Sequence, residues 1–309
     1  MAENEMTTEG ANAAPGSAEL GRRNMMTNVG LGAVGAMTAG ALAVGGLAAS
    51  SSTAEAQGIT DVDIVNLALN LEYLEAEYYL RAYTGSGLSA GDITGSGTPG
   101  TVVGGRAVPF KTPQIATLAR ALAVDEQAHV KFLRAALGGP SGAAVSRPAI
   151  NFTDTFTNLA IAGGLIAKGQ TFDPFADEIS FLLGSFVFED VGVTAYSGAA
   201  SLLTSKTILS YAASILAVEA YHAGAIRTML YNIGAGAAVQ GISNARKGAS
   251  GANDDKGILL PDGNILLAPT DDQAQTFRRT ASQVLNIVYL GGASGNFGFF
   301  PNKLNGTIA

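Results

Sequence analysis

The chain has two histidines in 309 residues, and each stands three residues after a glutamate: Glu126 with His129 in ALAVDEQAHVKF, and Glu219 with His222 in ILAVEAYHAGAI. On a helix this spacing puts both side chains on one face, one turn apart. The chain holds 12 glutamates, so chance would place one at that position before both histidines on the order of once in 600. The surroundings make the pattern restrictive. Between positions 207 and 226 Glu219 and His222 are the only ionisable side chains besides tyrosine, and in the run ISFLLGSFVFEDVGVTAY the only charges are Glu189 and Asp190. A charge on an apolar helix face is costly unless it is paired or coordinates a metal. The chain must therefore fold so that these helices turn their few charged groups toward one another.

Helical period and end signals predict five helices. The first covers 61–83, with Thr60 or Asp61 as cap and Gly85 beyond its end. The second opens at Thr112 and Pro113, the expected cap and first helical residue, and stops at Gly138 and Gly139. A third opens at Asp173 and Pro174 and runs to about 200, a fourth spans about 206–233 and stops at Gly234, and a shorter fifth covers about 270–289. The first four are of similar length, about 30 to 40 Å each, which predicts an all-α four-helix bundle. A loop rich in Gly, Ser and Thr fills 84–111, and loops of that length tend to be functional. The stretch 138–172, with a short helix expected at 154–167, is long enough to cross the bundle end to end between its second and third helices. The stretch 235–269 is dense in Gly, Ala, Asn and Asp and reads as irregular. This gives a bundle at 57–235 and a C-terminal extension at 236–309 with one short helix and an irregular tail.

The first helix offers Glu72, Glu75 and Glu77, and a second spacing chooses among them. Glu189 is followed seven residues later by Tyr196, and only Glu72 has a tyrosine, Tyr79, at the same interval. Seven residues are two turns, so each glutamate shares a face with its tyrosine. The sequence then reads as two halves, Glu72 with Glu126 and His129, then Glu189 with Glu219 and His222. One glutamate from each of two helices plus a Glu-x-x-His from each of the other two is a two-metal carboxylate arrangement. Four carboxylates balance two divalent cations. The mixed donor set suits iron or manganese and admits zinc, whereas an all-oxygen magnesium or calcium site would not need the histidines. The tyrosines read equally as packing or as redox-active residues. Glu75, Glu77 and Asp190 read as solvated or paired, Glu77 with Arg81 at the i, i+4 spacing. The cluster of Phe297, Phe299, Phe300 and Pro301 reads as a packed tail.

Composition narrows the chemistry. There is no cysteine, which excludes disulfides, thiolate catalysis, iron–sulfur clusters and cysteine-ligated zinc among these residues. The net charge of −7 argues against nucleic acid or an anionic membrane surface as a partner. Residues 1–56 have the order of an export signal: Arg22 and Arg23, an uncharged stretch over about 29–49, then an Ala54-x-Ala56 site that would leave Gln57 first. The paired arginines and weakly hydrophobic core resemble a twin-arginine signal, which exports folded proteins, although Asn24 and Met25 match that motif only in part. The alternative is a retained anchor, since the stretch is about long enough to span, but Gly and Ala are poor lipid-facing residues. The expected location is periplasmic or otherwise exported, with the membrane met only in transit.

LEYLEAEYYL is similar to the first helix of ferritins, with Glu72 and Tyr79 at the matching positions, and both Glu-x-x-His pairs match the di-iron members of that superfamily. More narrowly, LALNLEYLEAEYYLRA, DEQAHVKFLR, VLNIVYL and FFPNKLNG resemble the ferritin-like desiccation-related proteins over about 60–305. The resemblance implies a ferritin-like bundle in which Glu126 and Glu219 bridge two metals, with Glu72 and His129, and Glu189 and His222, as terminal ligands. Asp125 resembles the aspartate that orients a ligand histidine in related enzymes. Val218 holds the equivalent place in the fourth helix, so this support is one-sided. The implied function is oxidation of ferrous iron by dioxygen or hydrogen peroxide, protecting against oxidative or desiccation stress. A non-enzymatic stress protein braced by its metals, and a dimanganese catalase-like enzyme, are the alternatives.

Overall fold

The computed structural model describes residues 58–292 and 298–309. The expected export signal with Arg22 and Arg23, the expected cleavage site after Ala56, and Phe297 lie outside the described residues. The fold is all-α, as the helical period predicts. Four long helices dominate: α1 (Asp61–Thr84), α2 (Pro113–Ala136), α4 (Glu178–Ala199) and α5 (Lys206–Asn232), with α3 (Thr153–Ala162) in the crossover. Helix α1 packs along α2 and α4 along α5.

Local chemistry sets the ends. Thr60 and Asp63 form a capping box at the start of α1, and Gly85 closes it in the left-handed region with φ 83°. Ser205 caps α5 through the Ile208 amide. Helix α4 begins later than the Asp173–Pro174 signal predicts. Asp173 spends its side chain on a local turn, accepting from the Phe175 amide at 2.9 Å. Asp177 is the true cap, accepting from Ser180 at 2.8 Å. Glu178 then reaches across to the Lys111 and Thr112 amides at 2.8 and 2.9 Å, so the start of α4 serves the start of α2. Helix α4 is apolar on every side because it is central. By length and composition it could span a membrane, yet most of it is buried within the fold.

Between α2 and α4, a two-residue parallel pairing of β1 (Val102–Val103) with β2 (Ile150–Asn151) pins the long loop after α1 onto the crossover. Helix α3 stops at Ala162, short of the predicted 167, where Gly163 and Gly164 turn the chain. Phe152, Phe156, Phe175, Phe181 and Phe188 pack around Tyr78 with ring centroids 5.1–5.7 Å apart. The tail's Phe299 joins them 5.1 Å from Phe156, so Phe299 and Phe300 form a packed tail.

The extension contains two helices, α6 (Gly236–Ser250) and α7 (Ala281–Val288). Helix α6 corrects the irregular reading of 235–269. Its Gly, Ser and Asn content has low intrinsic propensity, but Val239, Ile242, Ser243 and Arg246 recur at helical spacing and are buried, so tertiary contact overrides propensity. Helix α7 is shorter than the predicted 270–289 because Thr280 and Gln283, forming a capping box, set its start. A buried ionic network fastens the extension to α4. Asp190 accepts from Arg246 at 3.0 Å and Arg227 at 3.3 Å, Arg246 meets Asp255 at 2.8 Å, and Arg279 joins Asp254 and Asp255 at 2.9 and 2.8 Å. Three arginines face three aspartates, so burial leaves no uncompensated charge.

Candidate metal centre

Each long helix contributes to one buried cluster: Glu72 from α1, Glu126 and His129 from α2, Glu189 from α4, Glu219 and His222 from α5. Nδ1 of His129 lies 3.1 Å from Glu126 Oε2, 3.3 Å from Glu72 Oε2 and 3.7 Å from Glu219 Oε1. Nδ1 of His222 lies 3.1 Å from Glu126 Oε1 and 3.3 Å from Glu189 Oε2. Donor atoms of Glu72, Glu126, His129 and Glu219 all fall within 4.8 Å of one another, as do those of Glu126, Glu189 and His222. Glu126 belongs to both groups, with one oxygen toward each histidine. Glu219, the other implied bridge, falls within that limit of the His129 group only.

Unpaired atoms test whether metal fits. One oxygen each of Glu72, Glu126 and Glu189, both oxygens of Glu219, and Nδ1 of His222 are buried without a hydrogen-bond partner. Such atoms cost roughly 1–3 kcal/mol each, more when charged. His222 Nδ1 and Glu126 Oε1 are 3.1 Å apart yet not aligned for a hydrogen bond, so two potential ligand atoms converge without satisfying each other. A pair of cations satisfies that arrangement. Gly192 adds a steric clue. A Cβ there would stand 2.3 Å from Glu219 Oε2, so this mid-helix glycine leaves room for the carboxylate.

The tyrosines aim the carboxylates crosswise. Tyr79 of α1 donates to Glu189 Oε1 on α4 at 2.6 Å, and Tyr196 of α4 donates to Glu72 Oε1 on α1 at 2.5 Å. Each carboxylate has one oxygen tied down and the other, Oε2, left facing its histidine. The seven-residue spacing thus encodes reciprocal bonds between helices. Outside the cluster, His222 Nε2 pairs with Asp125 Oδ2 at 3.1 Å. No acceptor stands at His129 Nε2 among the described residues, consistent with Val218 replacing an aspartate.

The protonation pattern of the metal-free cluster has clear causes. Burial opposes a charge on the histidines, but the hydrogen bonds and charges of their carboxylates win, pushing His129 up to about 10 and His222 to about 11. Burial would likewise raise Glu126, yet both histidines hold it well below the usual carboxylate range. Burial, then the charge of Glu126, pushes Glu72 up to about 8. Burial also raises Glu189, and with the surrounding carboxylates it raises Glu219 further. The cluster holds more carboxylate than two imidazolium ions neutralise, so it retains protons that divalent cations would displace.

Glu75 was missed. The sequence reading made it solvated or paired; it is 5% exposed, with no hydrogen bond or ion pair among the described residues. Burial, then the charges of Glu126, Glu189 and Glu72, raises it well above the usual range. It lines a small pocket with Gly192, Val288 and Phe299. Its signal was present, a carboxylate three residues after Glu72 in an apolar run. Glu77 does pair with Arg81, at 2.9 Å, and also with Arg147, while Asp190 anchors the arginine network.

Known proteins are similar to this chain in sequence. The chain is 27% identical over 289 residues to a ferritin-like catalase of Nesocodon mauritianus, covering 84% of this chain and 89% of that protein. It is 33% identical over 175 residues to a desiccation-related protein of Craterostigma plantagineum, covering 56% of this chain and 53% of that one. No solved structure matches. The ferritin-like domain matches residues 60–232, more than half the chain and all four helices of the cluster, and the chain therefore belongs to the ferritin-like family.

Proposed function

We propose that the chain is an exported two-metal oxidoreductase that consumes hydrogen peroxide, with iron as the expected metal and manganese as the alternative. The observation that carries this reading is the convergence of four carboxylates and two imidazoles whose buried atoms lack other partners. Bound metals would supply the electrons and the Lewis acidity for peroxide chemistry. The protein's part is positioning and proton holding. Glu126 spans both halves, His129 and His222 offer one nitrogen to each, and Tyr79 and Tyr196 fix the carboxylates of Glu189 and Glu72. Reducing peroxide to two waters takes up two protons. Glu75, buried beside the cluster, and the hydroxyls of Tyr79 and Tyr196, which meet its carboxylates, are the groups placed to supply them. Six protein donors leave two cations with open positions, whereas a structural site is normally closed.

The catalase named among the relatives supports peroxide as substrate, and the desiccation-related protein supports a protective role. The test is metal analysis of the natively exported protein with its reaction toward peroxide. Two irons per chain and peroxide-driven oxidation of the ferrous form support an iron peroxidase or ferroxidase. Two manganese ions with oxygen release support a catalase. Tight metal without peroxide consumption would overturn the enzymatic reading and leave the metals as a brace.

A further inference from the structure

A second cavity-like feature lies one side chain from the cluster, at the end of the bundle where α1 and α5 begin and α2 and α4 finish. It measures about 170 Å³. Its walls carry no Asp, Glu, Lys, Arg or His, and six of its sixteen lining residues are alanines: Ala68, Ala136, Ala143, Ala195, Ala199 and Ala212. Where a bundle would ordinarily interdigitate large side chains, small ones face each other and leave space. The space opens to solvent past the exposed Val62, Ala136, Ala143 and Tyr211, so its apolar walls gain free energy when an apolar occupant covers them. Water is a poor filler, because a buried water needs two to four polar partners and the lining offers little beyond two tyrosine rings. A dry apolar cavity of about 150 Å³ is large enough to take benzene.

We infer that this cavity is a binding chamber for one small, uncharged organic molecule the size of a single aromatic ring. A charged ligand would be stripped of water with nothing to pair it. Val62 and Tyr211, 42% and 39% exposed, stand at the rim and give access from solvent. Tyr196 forms the inner wall, and its hydroxyl donates to Glu72 at 2.5 Å. The occupant therefore lies against the ring that holds a carboxylate of the cluster. Pockets between the helices of bundles are a common position for such ligands.

Toluene and benzoate, alike in ring and opposite in charge, are the probes, titrated into the full chain in metal-free and metal-loaded form. Binding is read by calorimetry and by the melting temperature. Toluene should bind once per chain and raise the melting temperature in both forms, and benzoate should not. Ala212→Phe and Ala199→Leu, which fill the chamber from two different helices, should weaken toluene roughly tenfold or more without changing metal content. Ala121→Phe, on the exposed face of α2, should bind as the parent does. Two filling variants guard against one failing to fold. Absence of saturable toluene binding, equal binding by the filled variants, or equal binding of benzoate would overturn the inference. Because the metal-free form is assayed too, failure of the metal reading leaves these outcomes unchanged.

Discussion

Without bound metal the folded protein should lose stability as pH rises above about 5, and the sign follows from the cluster. In the unfolded chain Glu72 releases its proton near 4.5, but in the folded metal-free protein it keeps it to about 8. Over that window the native state binds more protons, so stability falls as pH rises. At about 1.36 kcal/mol per unit, Glu72 alone removes on the order of 5 kcal/mol between pH 4.5 and 8. Glu219 and Glu75, also raised by burial, act in the same direction. The histidines add to the decline above 6.5, since their folded values lie near 10 and 11. Glu126 works oppositely: its contribution is present above 4.5 and is lost as pH falls through its depressed folded value. The metal-free protein should thus be most stable near pH 5. Domains have only about 5–15 kcal/mol in total, so part of the population should unfold by pH 8. Two divalent cations displace the retained protons, so the gap between loaded and stripped protein should widen with pH. Urea melts of both forms at pH 5, 6, 7 and 8 measure this. A stripped protein whose midpoint is flat or rising across that range would refute the reasoning.

Glu72→Ala should lose metal well beyond Glu75→Ala, because only Glu72 lies within the converging donor set; elemental analysis decides, and equal losses would count against this register. Gly192→Ala should lower metal content by displacing Glu219 while leaving the stripped protein no less stable, since alanine favours a helix by about 1 kcal/mol over glycine. Arg246→Ala leaves Asp190 and Asp255 without a main partner and should cost about 3–5 kcal/mol, visible as a large fall in melting temperature with early proteolysis of the extension. Changing Arg22 and Arg23 together to lysine should hold the precursor in the cytoplasm, and a mature N-terminus far from Gln57 would count against the signal.

What was legible came from residues that break their local pattern. A glutamate and a histidine alone in an apolar helix have few explanations, and their periodicity gave both the bundle and the six converging side chains. Glu75 was hidden because the first helix carries several carboxylates, and spacing cannot tell a face toward the cluster from one toward a small pocket. The crosswise tyrosine bonds were hidden because spacing along one helix does not name the partner on another. Helix α6 was unreadable from propensity, since its stability comes from Arg246 reaching Asp190, 56 positions away. The late start of α4 turned on which of two aspartates caps and which makes a turn, a contest settled by packing.

The buried side chain of Asn70, in the middle of α1, donates to the backbone oxygen of Asn305 at 2.8 Å, and the Asn305 amide returns a bond to Asn70 at 3.2 Å. These partners are 235 positions apart. On a ribosome, Asn70 would keep only its local bond to Asn66 until the 235 positions up to Asn305 are made, and the aromatic core would stay open until Phe299 arrives. Closing so long a loop is slow, and an incomplete chain exposes apolar helix faces while it waits. Completing the core thus depends on residues 299–305, so a chain interrupted shortly before position 305 should fail in folding rather than yield a trimmed but working bundle.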